Sequence, residues 1–148
     1  MNKIELEIKS GSSGFEIKDE SGHILHTDTS IENGGSNYGF RPMQLLLCAL
    51  GSCSGQDVAS ILKKQRQSVQ HFKIKIEGER EAGPIPSLWK LINLTFELQG
   101  NVEKVKAEKA VSLSIEKYCS VAETLKRGGT KITWKVNVIN TAEPLPLQ

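Results

Sequence analysis

The chain opens on strict alternation. In KIELEIK, Ile4, Leu6 and Ile8 alternate with charged residues, the period of a half-buried strand. Beyond the turn-rich SGSSG, Phe15 and Ile17 continue the pattern, Asp19 to Gly22 reads as a hairpin turn, and HILHTD as a third short strand. The stretch TSIENGGSNYGF, rich in Gly, Asn and Ser, predicts a long loop. At Pro42, a residue suited to the first turn of a helix, the period changes. Leu46, Leu50, Cys53, Val58, Ile61 and Leu62 make a helical stripe, closed by Lys63, Lys64 and Arg66 at the negative end of the dipole. Residues 45–50 are apolar nearly all round, which predicts burial on most sides.

Two long alternating strands come next, Phe72/Ile74/Ile76 and Ile92/Leu94/Phe96/Leu98, joined by the proline-containing loop EAGPIPS. Gly100-Asn101 predicts a cap for a helix from about Val102 to Tyr118, with Ala107, Ala110, Val111, Ser114, Ile115 and Tyr118 as its stripe. Ser120-Val-Ala-Glu123 has the form of a capping box, so a second short helix should start just after Cys119 and stop at Gly128-Gly129. Ile132, Trp134, Val136 and Val138 mark the last strand, and TAEPLPLQ a tail. The order β-β-β-α-β-β-α-α-β predicts one α+β domain over residues 1–148, with 139–148 as C-terminal tail. A sheet of about six strands would be backed by a long buried central helix and a second helix pair. So apolar a helix in so small a domain also predicts a dimer whose subunits share it.

Composition narrows the function classes. With 148 residues, 38% hydrophobic, 24% charged and a net charge of +2, the chain has an ordinary globular balance and no basic excess to attract nucleic acid or a membrane surface. No apolar run approaches the roughly 18 residues of a membrane helix. MNKIELEIKS lacks the features of a secretory signal, so the cytoplasm is expected, with its cysteines reduced. Neither CxxC nor HxxxH spacing occurs, so no metal site is expected. His23, His26 and His71 read as strand residues, and Trp89 and Trp134 as sheet packing. Neither a phosphate-cradling loop nor a nucleophile elbow is present.

The chemistry rests with three cysteines. At about 100° per residue, Cys48 and Cys53 lie roughly 140° apart around the helix. Cys48, between Leu47 and Ala49, reads as a small core hydrophobe. Cys53 sits in GSCSG, where small residues admit close approach by another helix, a second copy or a ligand; a core thiol and a reactive one both fit. Cys119 stands just before a helix start, whose amides would lower a thiol pKa; it also reads as a simple helix terminator. Asp57, one turn after Cys53, opposes ionisation of that thiol. Arg41 and the amides at the Ser120 helix are the candidate sources of positive potential.

GFRPMQLLLCALGSCSGQDVA and EKYCSVAETL together resemble the two cysteine motifs of the OsmC/Ohr family of thiol-dependent hydroperoxide reductases, and the order of elements matches over about residues 1–139. The resemblance implies an intertwined homodimer with sites at the subunit interface. It implies organic hydroperoxide as substrate, an external dithiol as reductant and no cofactor. Cys53 would be the peroxidatic cysteine and Cys119 the resolving one. The chain departs from the family pattern in three places. Met43 stands at the family's glutamate position, no arginine precedes Arg41, and Ser120 replaces the usual proline. That leaves Arg41 and Gln44 as auxiliary candidates at the helix entrance. Arg41 lies twelve residues before Cys53, about 18 Å of helical rise, and would serve only a dimer mate's site. The alternative implied by these departures is a non-catalytic small-molecule-binding module, or one that handles thiols or persulfides.

Overall fold

A computed structural model describes residues 1–141; the expected tail beyond them, 142–148, lies outside the described residues. The chain forms two compact units, Met1–Leu46 and Leu47–Gln148. Six strands form, as the alternation predicts, but they pair as two sheets of three and not as one sheet.

In the first unit, β1 (Ile4–Ser10), β2 (Gly14–Asp19) and β3 (Ile24–Thr27) make an antiparallel meander. The β2–β3 turn is held by Asp19, whose Oδ1 accepts from the amides of Ser21 at 2.9 Å and His23 at 2.8 Å. That is the local side-chain bonding that makes aspartate a turn residue. The expected long loop is ordered around Asp28. Its carboxylate is 2% exposed and accepts from Ser13 Oγ, Ser36 Oγ and the amides of Thr29, Ser36 and Tyr38. The Ser13 hydroxyl first, then the Tyr38 amide and the Ser36 amide and hydroxyl, hold the carboxyl well below its usual range. Ile4, Leu6 and Ile8 stay about half exposed, so this chain leaves one apolar face of β1 open.

Helix α1 (Pro42–Lys64) begins in the first unit and continues into the second. There β4 (Ser68–Arg80) and β5 (Trp89–Asn101) pair antiparallel, and β5 and β6 (Lys131–Asn140) pair in parallel. A parallel pair needs a crossover. It is supplied by α2 (Lys104–Leu113), a π-helical turn at Ser114–Tyr118 and α3 (Ser120–Arg127). Strand β6 runs to Asn140, two residues into the stretch expected to be tail. Ile92, Leu94, Phe96 and Leu98 on alternate positions of β5 are all at most 1% exposed. The register puts Ile74 and Val136 on either side of Phe96, which makes the central strand the core of this unit.

Several expectations change. Glu103, not Gly100-Asn101, caps α2; both of those residues end β5. Of residues 45–50 only Leu50 is buried, while Leu46 is 38% exposed and Cys48 is exposed, so Cys48 is not a core residue. The buried stripe of α1 is Leu50, Gly51, Ser54, Val58 and Leu62. By length and composition α1 also passes for a membrane-crossing helix, which its interrupted apolar runs hide in the sequence. In the second unit its glycines face β4: a Cβ on Gly55 would sit 2.8 Å from Ile74 Cδ1, and one on Gly51 would collide with Ile76 Cδ1. The two glycines flanking Cys53 thus admit a strand.

Candidate functional site

Helix α1 presents Cys53 and Asp57 one turn apart, on the face that looks toward the crossover. From the crossover comes Cys119, 66 positions after Cys53 in the chain. One ligand atom from each of the three, the two sulfurs and a carboxylate oxygen, lies within 4.8 Å of the other two. Cys53, Asp57 and Cys119 all belong to the second unit. They differ in access: Cys119 is 3% exposed, while Cys53 is intermediate.

Cys119 is placed by two local features. The π-helical turn ends with its amide donating to Ser114 O, five residues back, at 2.8 Å. Its Sγ then caps α3, accepting from the Ala122 amide at 3.4 Å. The cap of this helix is therefore Cys119 and not Ser120, because the chain turns helical one residue earlier than the capping-box spacing implies. The electrostatic outcome also differs from expectation. Burial, and next the Cys53 sulfur beside it, push the Cys119 thiol up to about 11, outweighing the amides of Ala122 and Val121 that pull it down. At neutral pH Cys119 keeps its proton.

Ser114 is the residue that reading the sequence as an apolar stripe missed. It is fully buried, and its hydroxyl donates to Asp57 Oδ2 at 2.9 Å and to Ser54 O at 3.4 Å. The signal was there: a hydroxyl inside a run of Ala, Val and Ile needs a buried acceptor. Lys126 on α3 completes the frame by donating to Ile115 O and to Glu116 Oε2, both at 2.8 Å. Asp57 also lines a groove of about 580 Å³ with Ser60, Ile61, Lys64, Leu113 and Tyr118. The groove mixes polar and apolar walls.

The family model for the OsmC-like protein matches residues 34–135, most of the chain and both cysteines. The chain belongs to the OsmC-like family. Among curated relatives, this OsmC-like chain is 41% identical to Protein YhfA of Escherichia coli (strain K12) over 99 residues, 66% of this chain and 72% of that one. Among solved structures, a hypothetical protein from Aquifex aeolicus VF5 is 37% identical with a TM-score of 0.78, covering 94% of this chain and 98% of that one. The fold likeness extends to the organic hydroperoxide resistance protein OhrB of Bacillus subtilis. There identity is 15%, TM-score 0.66 and coverage 93% of this chain and 98% of that one.

Within this OsmC-like chain the other two candidates sit together in the first unit. The Arg41 amide donates to Gln44 Oε1 at 2.9 Å, and Arg41 Nη1 donates to Gly39 O at 3.1 Å. With Asn37 and Phe40 they line a shallow pocket of about 370 Å³. The structure brings Cys53, Asp57, Ser114 and Cys119 together as one group, and Arg41 and Gln44 as another.

Proposed function

We propose that this OsmC-like protein reduces organic hydroperoxides through Cys53 and Cys119. The supporting observation is the pair of sulfurs within 4.8 Å, one partly accessible and one buried with its proton retained. The accessible Cys53 attacks, as thiolate, the distal oxygen of the hydroperoxide. The O–O bond breaks, the alcohol leaves with a proton, and Cys53 becomes a sulfenic acid. Cys119 then attacks the Cys53 sulfur, its proton passing to the departing hydroxide, so that one disulfide and one water form. An external dithiol returns the pair to thiols at the cost of its own oxidation. A protonated Cys119 suits the second role, since it does not compete for peroxide while Cys53 is reduced.

The protein is further proposed to act as a cytoplasmic homodimer. Support comes from the apolar side chains that one chain leaves in water, Ile4, Leu6 and Ile8 on β1 and Leu46 on α1. Light scattering coupled to size exclusion should give twice the chain mass; a monomeric mass would remove this part.

The peroxidase reading is tested by treating reduced protein with cumene hydroperoxide, counting free thiols and mapping the link by peptide mass spectrometry. A Cys53–Cys119 disulfide should form in step with peroxide loss. Consumption no faster than in Cys53→Ser would defeat the reading.

A further inference from the structure

We infer that Cys53, Asp57 and Cys119 form a binding site for a thiophilic divalent cation, with Zn²⁺ the best match, and that cation binding and the Cys53–Cys119 disulfide exclude one another. The geometry is close to what the ion requires. Around a tetrahedral zinc with bonds of about 2.0–2.3 Å, ligand atoms stand about 3.3–3.8 Å apart. The three atoms here lie within 4.8 Å of each other, so closing by about 1 Å brings them to bonding positions. Cys53 and Asp57 are spaced i, i+4 on α1, the arrangement that puts two ligands on one helical face. Cys119 approaches from the start of α3.

The surroundings have the form of outer-shell support. Ser114 Oγ donates to Asp57 Oδ2 at 2.9 Å, fixing the carboxylate and leaving its other oxygen for the ion. The Ala122 amide donates to Cys119 Sγ at 3.4 Å, a contact that stabilises a thiolate. Two thiolates select zinc over magnesium or calcium. Three protein ligands leave a fourth position for water, and one of the three, Asp57, also lines a groove. Binding is not a redox step: Zn²⁺ displaces one proton from each thiol, and the carboxylate joins as it is. Disulfide formation uses the same two sulfurs, so a zinc-loaded chain is shielded from oxidation and an oxidised chain has lost two ligands. Motif spacing does not reveal this triad, because its members are separated by 4 and 62 positions.

The test uses the reduced full chain without peroxide. Zinc sulfate is titrated against a chromophoric chelator, and Co²⁺ serves as spectroscopic probe. One ion per chain should bind, with a near-ultraviolet thiolate-to-cobalt band and the intense visible bands of four-coordination. Cys53→Ala and Cys119→Ala should each weaken zinc by about 100-fold, and Asp57→Asn by about 10-fold or more. Cys48→Ser should change nothing. Absence of the thiolate band in unsubstituted protein overturns the inference even if Cys119→Ala fails to fold. Equal zinc affinity in Cys53→Ala and the unsubstituted chain overturns it too. The inference shares its sulfurs with the peroxidase reading but fails separately: zinc uptake without hydroperoxide consumption sinks only the latter, and the reverse result sinks only the former.

Discussion

Replacing Gly51 by alanine asks whether β4 is what the small residues around Cys53 accommodate. The added methyl would collide with Ile76 Cδ1, while Ile76 Cγ1 would stand 3.7 Å away in ordinary contact. Alanine gains about 1 kcal/mol over glycine in a helix interior, and overpacking costs about 1–3 kcal/mol. Gly51→Ala should therefore lose about 0–2 kcal/mol. Ile76→Val deletes the one carbon that collides and by itself should lose about 0.5–1.5 kcal/mol.

Combined, the alanine methyl takes the space the isoleucine carbon left. The overpacking disappears and the helix gain remains, so the double variant should lie within about 0.5 kcal/mol of the starting protein. The coupling is then about 1–3 kcal/mol in its favour. Urea unfolding followed by far-ultraviolet circular dichroism measures all four corners, provided the denaturant slope stays constant. Losses that add within about 0.5 kcal/mol would refute the packing argument. Because Gly51 and Gly55 flank Cys53, Gly51→Ala should also slow disulfide formation, and Ile76→Val should restore it.

Phe96→Ala, on the fully buried centre of β5, should cost about 3–5 kcal/mol in the same denaturation assay. Ser114→Ala removes the hydroxyl on Asp57 and should cost about 1–3 kcal/mol while slowing hydroperoxide-driven disulfide formation, read by peptide mass spectrometry. Cys119 has a folded pKa of about 11, above the roughly 8.5 of an unfolded cysteine, so folded protein holds the proton more tightly. Its contribution to stability is full below about pH 8.5 and lost as pH rises through 11; Cys119→Ser should flatten that part of the stability profile. Asp28 has the opposite sign. Its folded pKa is depressed, so its contribution is full above the unfolded value of about 3.9 and fades as pH falls below it. Asp28→Asn should lose stability at pH 7 and show less acid sensitivity in a pH titration of circular dichroism.

Local patterns revealed local structure. Alternation located all six strands, and Pro42 marked the start of α1 to the residue. What alternation lacks is information on which strands pair, and two sets of three satisfy it as well as one sheet does. The cysteines were separable by context because Cys53 lies among small residues and Cys119 before a helix. Cys48 was misread because an apolar neighbourhood in sequence says nothing about which side of a helix the rest of the chain covers. The direction of the Cys119 shift was illegible for a related reason. Helix-end amides can be read from neighbouring residues, but the burial that outweighs them depends on groups distant in sequence.

The π-helical turn explains why these distant groups meet. Had α2 continued as an α-helix, the Cys119 amide would have bonded to Ile115 O, four residues back. It bonds instead to Ser114 O, five back, which leaves Ile115 O open, and Lys126 Nζ takes that carbonyl at 2.8 Å. One extra residue in the turn thus advances Cys119 to the N-cap of α3 while Ser114 stays on the buried face of α2, in reach of Asp57. Ser114 is the pivot: its carbonyl fixes the backbone of Cys119, and its hydroxyl fixes the carboxylate beside Cys53. A crossover whose helix stayed regular after α2 would place Cys119 about 100° away around that helix's axis. The pairing of the sulfurs therefore depends on an irregularity that no hydrophobic period encodes, and such insertions recur where helices carry function.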